Sequence, residues 1–314
     1  MKAVAYFSNG LGNFVIMMPS LQSVASMTDS GKIDVVLNGD WNDRRKPPVK
    51  DILKHWPVVD KIIDWPGNQF DPKVYELWFY SPHGSNGPIV PTFQDHLKIP
   101  VPRPSWNQSK IHEADHYMEV ARTVGYKGRI PTVTFPVGDA PALNLPRPIF
   151  GLCNGFFKTQ QKEWDKKRWP YFSQLSEILK RFFGASIVGI GSSGELDGVS
   201  MDEDFTGKLS IIETAKVISQ VEVLVTSDTA NMHIADLLGI PMVALFGPTL
   251  TSKNRPRSKR AIVLRSGVLC APCQDTARFM NCMSNKCMHS ITVGDVMAAG
   301  RILLNSFLKG NHHV

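Results

Sequence analysis

The residues richest in chemistry lie between Glu222 and Thr249. They run Glu222-Val-Leu-Val-Thr-Ser227-Asp228-Thr229-Ala230-Asn231-Met232-His233, then Gly239 and Pro241, then Phe246-Gly247-Pro248-Thr249. The apolar run ending at Ser227 reads as a strand, and Asp228 and Thr229 are residue types that cap a helix N-terminus. Gly239 stops that helix, and a second strand leads into Gly247-Pro248-Thr249. Backbone N–H groups, the positive end of a helix and His233 then share one sheet edge. Such an edge suits an anion, a diphosphate in particular. Capping and strand–helix–strand packing account for Asp228 and Gly239, but not for small residues, a histidine and Gly-Pro-Thr together.

Other segments carry weaker signals. In Ser8-Asn9-Gly10-Leu11-Gly12-Asn13-Phe14 the glycines Gly10 and Gly12 allow tight turning and close approach of a ligand to the backbone. Gly189-Ile-Gly191-Ser-Ser-Gly194 matches G-x-G-x-x-G after a strand, but Glu195-Leu-Asp197-Gly198 is a poor helix start. It reads as a loop at the carboxyl end of a strand, the edge where open parallel sheets bind ligands. His112-Glu113-Ala114-Asp115-His116 matches the zinc-peptidase H-E-x-x-H on a predicted helix, yet no third ligand follows. An amphipathic helix with its polar face outward is the better reading. Cys153 sits alone in an apolar stretch, whereas Cys270-x-x-Cys273, Cys282 and Cys287 form a cluster. The first pair has zinc-ribbon spacing and the second is looser, so structural zinc, free thiols and disulfides all stay open.

The elements that must position these residues alternate. Strands are expected at 3–8, 33–37, 59–63 and 75–80, with helices at 14–27, 44–55 and from Ile111 to Val124. Short apolar runs between glycine, proline, asparagine and aspartate suit parallel strands buried on both faces. Residues 81–108 read as a long surface excursion. Four prolines in 136–148 make a stiff link, so the domains are expected at 1–140 and 141–314. The pattern then restarts: strands at 149–153, 186–190, 222–226, 242–246 and 261–264, and helices at 171–183, 211–219 and 230–238. A final helix, 292–308, is amphipathic without a strongly basic face. It is expected to pack on protein, with the first domain as one candidate surface.

The 314-residue chain is 43% hydrophobic and 20% charged, which excludes disordered, collagenous and coiled-coil classes. No apolar run approaches the roughly 20 residues of a membrane helix. The first residues are too short an apolar stretch for a signal peptide, so the expected location is cytoplasmic. A net charge of +7 favours anionic partners, among them phosphorylated molecules, anionic membrane surface and nucleic acid. The surplus clusters at Arg44-Arg45-Lys46, at Lys158, Lys162, Lys166, Lys167 and Arg168, and at Lys253, Arg255, Arg257, Lys259 and Arg260. Aromatic residues do not interleave with these clusters as stacking platforms would, which makes nucleic acid the least favoured partner.

The Ser227–His233 block with Gly247-Pro248-Thr249 resembles the signature of glycosyltransferase family 9, which includes the ADP-heptose:lipopolysaccharide heptosyltransferases. The resemblance extends to Gly10-Leu11-Gly12 with Pro19, to Lys167-Arg168-Trp169-Pro170, and to the segment from Cys270 to Cys287-Met288 followed by Ile291-Thr292. It implies an α/β GT-B architecture of two Rossmann-like domains facing across a cleft. It implies an inverting, metal-independent transferase that uses a nucleotide-diphosphate sugar and needs no cofactor. Lipopolysaccharide core or a related surface glycan would be the acceptor, reached from the cytoplasm with peripheral contact at the inner face of the membrane. By this resemblance the donor meets Gly10, Gly12, Lys167, Arg168, Gly191, Glu195, Asp228, Thr229, Ala230, His233 and Gly247. Lys167 would pair with the diphosphate and Glu195 would sit near the ribose. Lys167, Arg168 and the 253–260 cluster would take the place of a metal. One departure stands out: heptosyltransferases carry an aspartate, thought to be the base, where this chain has Asn13. An amide has no useful basicity and can only orient an acceptor. His83, Asp95 and His96 are the replacement candidates. A nucleotide-sugar epimerase of the same plan, or a non-catalytic sugar-nucleotide-binding protein, are the alternatives.

Overall fold

The computed structural model describes residues 1–7, 10–38, 46–65, 71–80, 111–156, 163–274 and 276–310. The chain forms two compact units, Met1–Pro136 and Val137–Val314.

In the first unit β1 (Ala3–Phe7), β2 (Ile33–Asn38), β3 (Val59–Trp65) and β4 (Leu77–Tyr80) make a parallel sheet in the order β3-β2-β1-β4. All five residues of β1 are buried, as expected of a central parallel strand covered on both faces. Helix α1 spans Leu11–Ala25 and starts three residues earlier than its apolar run suggests. Gly12 and Asn13 therefore lie in its first turn rather than in a loop. Helix α2 covers Lys46–His55 and α3 covers Glu113–Thr123, which packs on α1. His83, Asp95, His96, Arg44, Arg45, Lys158 and Lys162 lie outside the described residues.

The second unit has six parallel strands: β5 (Ile149–Cys153), β6 (Ser186–Gly189), β7 (Glu203–Asp204), β8 (Val223–Ser227), β9 (Met242–Phe246) and β10 (Ala261–Arg265). Their order is β10-β9-β8-β5-β6-β7, the doubly wound order that reverses direction between β5 and β8. Ligand crevices form outside the carboxyl ends of strands at such a reversal. Helices α4 (Phe172–Phe183), α5 (Ile211–Ile218) and α6 (Ala230–Leu237) connect them. Ser210 caps α5 with a reciprocal box to Glu213. Three short helices follow, α7 (Thr251–Asn254), α8 (Ala277–Asn281) and α9 (Lys286–His289). They are too brief to leave a periodicity in the sequence. The last helix, α10 (Val293–Gly310), packs on α4 and on β8 to β10 of its own unit. Trp169 is fully buried, its indole N–H donating to the Ile291 carbonyl at 2.9 Å. This locks the basic turn before it to the segment before α10. Among the described residues no helix is long and apolar enough to cross a membrane.

Candidate functional site

The carboxyl ends of β5, β6, β8 and β9 bring the sequence motifs of the second unit together. After β8 comes Asp228, 3% exposed. Thr229 then takes the N-cap position of α6 in extended conformation, with no side-chain capping bond. The expectation that Asp228 and Thr229 cap this helix through their side chains is thus corrected. The Asp228 carboxylate turns instead to Lys167, whose Nζ lies 3.0 Å from Oδ2 and donates to the Asp228 carbonyl at 3.1 Å. Burial pushes the Asp228 carboxyl up, but the Lys167 charge, His233 and hydrogen bonds from Lys167 and Thr249 outweigh it. The carboxyl is held below its ordinary value. Lys167, Asp228, His233 and Thr249 are therefore one electrostatic group, assembled from a 3-10 turn (Glu163–Lys167), a strand end, a helix and the Gly-Pro-Thr loop.

Lys167 is steered from two sides. Its ammonium stands 4.7 Å over the Trp164 ring, a cation–π contact, and Trp164 packs edge-on against Phe279 of α8 at 5.1 Å. Lys166 donates to the Met280 carbonyl at 3.0 Å. Neither aromatic was singled out in the sequence, where nothing links a residue before the Trp-Pro pair to one more than a hundred positions on.

Two glycines are required by close approach. Gly191 has φ +141°, and a Cβ there would fall 2.2 Å from Glu195 Oε2; only glycine accepts both conditions. Glu195, 3% exposed, accepts from the Ser192 amide at 3.0 Å. Arg168 donates to the Glu195 carbonyl at 3.1 Å and stacks over Phe156 at 5.3 Å. A Cβ on Gly247 would meet Met288 Sδ at 2.3 Å and Cys287 Sγ at 3.0 Å. The cysteine segment thus packs straight onto the Gly-Pro-Thr loop. The amides of Cys273 and Gln274 both donate to the Pro248 carbonyl at 2.9 Å. Cys153 lies under the same edge, 3.3 Å from Asn231 Nδ2, its thiol pushed up by burial.

The third basic cluster is largely elsewhere. The Arg257 and Ser258 amides donate to Asp236 at 2.8 Å, and Arg260 donates to the Gly239 carbonyl at 3.4 Å. Those acceptors belong to the carboxyl end of α6, about 10 Å along its axis from the N-terminus. The backbone at Arg257 and Ser258, and the Arg260 side chain, thus lie at the far end of α6. Lys253, 2% exposed in α7 just after the Gly-Pro-Thr loop, is the one member of the run that follows this edge directly.

Residues 138–284 match the family model described as glycosyltransferase family 9 (heptosyltransferase). The family 9 resemblance holds. Lipooligosaccharide heptosyltransferase 2 of Haemophilus influenzae is 29% identical over 137 residues, covering 40% of this chain and 38% of that protein. The chain thus matches well under half the length of such curated relatives. Two solved structures share the fold across almost the whole chain. A family 9 glycosyltransferase from Veillonella parvula has TM-score 0.69 at 17% identity, covering 97% of each chain. The E. coli ADP-heptose lipopolysaccharide heptosyltransferase II has TM-score 0.67 at 18% identity, covering 98% of this chain and 99% of that one. The architecture is the α/β GT-B class, with two Rossmann-like units on parallel sheets.

The family 9 match lies in the second unit. Gly10 is the N-cap of α1, again without a side-chain capping bond. Asn13 Nδ2 donates to Glu113 Oε2 at 2.9 Å, and Glu113 is 5% exposed at the start of α3. His112, the first residue of the H-E-x-x-H match, is the N-cap of α3 and accepts from the Ala114 amide at 3.1 Å. Its Nδ1 is spent on the helix end. No group of three or more metal-ligating side chains is assembled among the described residues. Cys270, Cys273, Cys282 and Cys287 form no disulfide. Burial pushes Cys287 up to about 11, whereas hydrogen bonds from the Asn285 and Ser284 amides overcome burial and lower Cys282.

Proposed function

We propose that this chain is a glycosyltransferase that moves a sugar from a nucleotide-diphosphate donor to an acceptor hydroxyl with inversion and without a divalent metal. The observation that carries the reading is the Lys167–Asp228 pair beside the uncapped N-terminus of α6. The departing diphosphate gains charge as the glycosidic bond breaks. Fixed ammonium and amide donors that need no reorganisation stabilise that charge most effectively. Lys167 and Arg168 are the cationic donors, and the amides around Thr229 and Ala230 are the neutral ones. His233 supports the turn, Glu195 meets the ribose, and Gly191 and Gly247 keep the edge open to the ligand. Asp228 acts as the partner that holds Lys167 in place.

ADP-heptose is the donor of choice for a test, since it is the nucleotide sugar named for a structural relative. Lipopolysaccharide core or a related surface glycan is the acceptor class, met in the cytoplasm or at the inner face of an anionic membrane. The cysteine segment fits a structural zinc by residue type alone. Metal analysis of the purified chain decides between that and reduced thiols.

A thermal-shift screen of nucleoside diphosphates and their sugars tests the donor site, because a ligand of the native state raises its melting point. Transfer of heptose to a core oligosaccharide in the presence of a chelator, with the product anomer read by NMR, tests the rest. No shift with any nucleotide removes the reading. Conversion of the donor without acceptor replaces it with an epimerase.

A further inference from the structure

Lys166 and Lys167 are adjacent in sequence and part company in the structure. Both belong to the 3-10 turn Glu163–Lys167, where successive side chains point about 120° apart and residues three apart eclipse. That geometry sends Lys166 to α8. Its ammonium donates to the Met280 carbonyl at 3.0 Å and stands 5.4 Å over the Phe279 ring. Lys167 falls on the same side as Trp164, three positions earlier, with its ammonium 4.7 Å over the indole. The half-buried indole is backed by Phe279, 3% exposed and edge-on at 5.1 Å. Thr276, the N-cap of α8, accepts from the Phe279 amide and holds that end of the helix. Trp169, on the other side of the lysines, is fully buried and bonded to the Ile291 carbonyl. One tryptophan is core, and the other faces an ammonium.

We infer that Trp164 is the positioning residue for Lys167 at the donor diphosphate, with Phe279 as its backing. The inference rests on the donor-site reading above and adds to it a residue outside the Lys167-Arg168-Trp169-Pro170 motif. A lysine stem has several rotatable bonds, so ordering its ammonium only when an anion arrives would weaken binding. The Asp228 carboxylate and carbonyl hold that ammonium from one side, and the indole holds it from another. A carboxylate in place of the indole would also hold it, but would add a second negative charge beside the place a diphosphate must occupy. An aromatic face attracts the cation through its quadrupole, adds no net charge and offers no oxygen that competes with a phosphate. The cysteine-bearing segment thereby gains a role besides packing: α8 sets the ring that sets the ammonium.

The test is ADP binding to the full chain, measured by calorimetry. Trp164→Leu keeps apolar packing on Phe279 but removes the quadrupole, and is expected to weaken ADP binding about 3–30-fold. Trp164→Phe keeps an aromatic face and is expected to recover most of that affinity. Equal losses in the two variants overturn the inference. Trp164→Leu placed in a Lys167→Met chain isolates the coupling. No ammonium is left to position, so ADP affinity should fall no further. An undiminished further loss, as an indole stacked on the base or a general packing role would give, overturns the inference. Wild-type affinity in Trp164→Leu also overturns it and leaves the donor site standing, whereas a wild-type chain that binds no ADP removes both. Should Trp164→Leu not fold, labelling the full chain with fluorinated tryptophan decides. Fluorine drains the ring face with little change of volume, so ADP affinity falls in the labelled wild type and holds in labelled Trp164→Phe. Equal affinity in labelled and unlabelled wild type overturns the inference.

Discussion

The two units share a strand order and differ in the side chain that reaches a buried carboxylate near the sheet edge. Both run 3-2-1-4 around their first strand, and in both a helix without a side-chain cap begins at that edge. In the second unit the buried Asp228 is matched by a cation, Lys167. In the first the buried Glu113 is met by a neutral amide, Asn13. A cation reaches the carboxylate at one edge, and an amide reaches it at the other. The net charge of +7, read as a property of the whole chain, hides that division.

The comparison can be broken most forcefully at Asp228. Asp228→Ala leaves Lys167 without its partner in a largely buried place, and is expected to cost about 3–5 kcal/mol in urea unfolding. A wild-type midpoint would mean that the pair is not the mainstay of this edge. The pH dependence follows from the depressed carboxyl. Its stabilising contribution is complete above the ordinary carboxylate value, about 4. It is lost as pH falls through the folded value. The stability gap between wild type and Asp228→Asn should therefore close on acidification below pH ~4, and a gap constant down to pH 2 would contradict it.

Lys167→Ala sharpens the same contrast by removing the cation alone. ADP affinity measured by calorimetry is expected to fall by about 2–4 kcal/mol with the fold intact. Affinity equal to wild type would move the anion site elsewhere. Gly191→Ala introduces a strained φ and a contact with Glu195, and is expected to destabilise by about 1–3 kcal/mol. A neutral result would mean that Glu195 moves freely. The smallest effect belongs to Asp64→Asn in the first unit. Its lysine pairs lie at a partly exposed site and are worth under about 1 kcal/mol. A larger loss in thermal unfolding would show that charge pairing matters as much in this unit as in the other.

Much of the second unit could be read from its residues, because its chemistry is local. Val223 to Thr249 holds a strand, a turn, a helix and a strand in 27 consecutive positions, and apolar runs with Gly239 as a stop mark each boundary. The reading failed where packing rather than pattern decides. Arg257 and Arg260 look like neighbours of the anion edge in sequence, but the Arg257 backbone and the Arg260 side chain bond to the opposite end of α6. Trp164 and Phe279 steer Lys167 through ring contacts that no spacing announces. Glu113 was visible only as the second letter of an unpromising zinc match. Its meeting with Asn13 depends on α1 and α3 lying against each other, which is tertiary information.

The Pro248 carbonyl, claimed by the amides of both Cys273 and Gln274, has a consequence for how this lobe opens. The two amides share one acceptor, so a movement of the Gly-Pro-Thr turn that withdraws it frees both in a single event. In hydrogen–deuterium exchange those two amides should gain deuterium in step, and a nucleotide that slows one should slow the other equally.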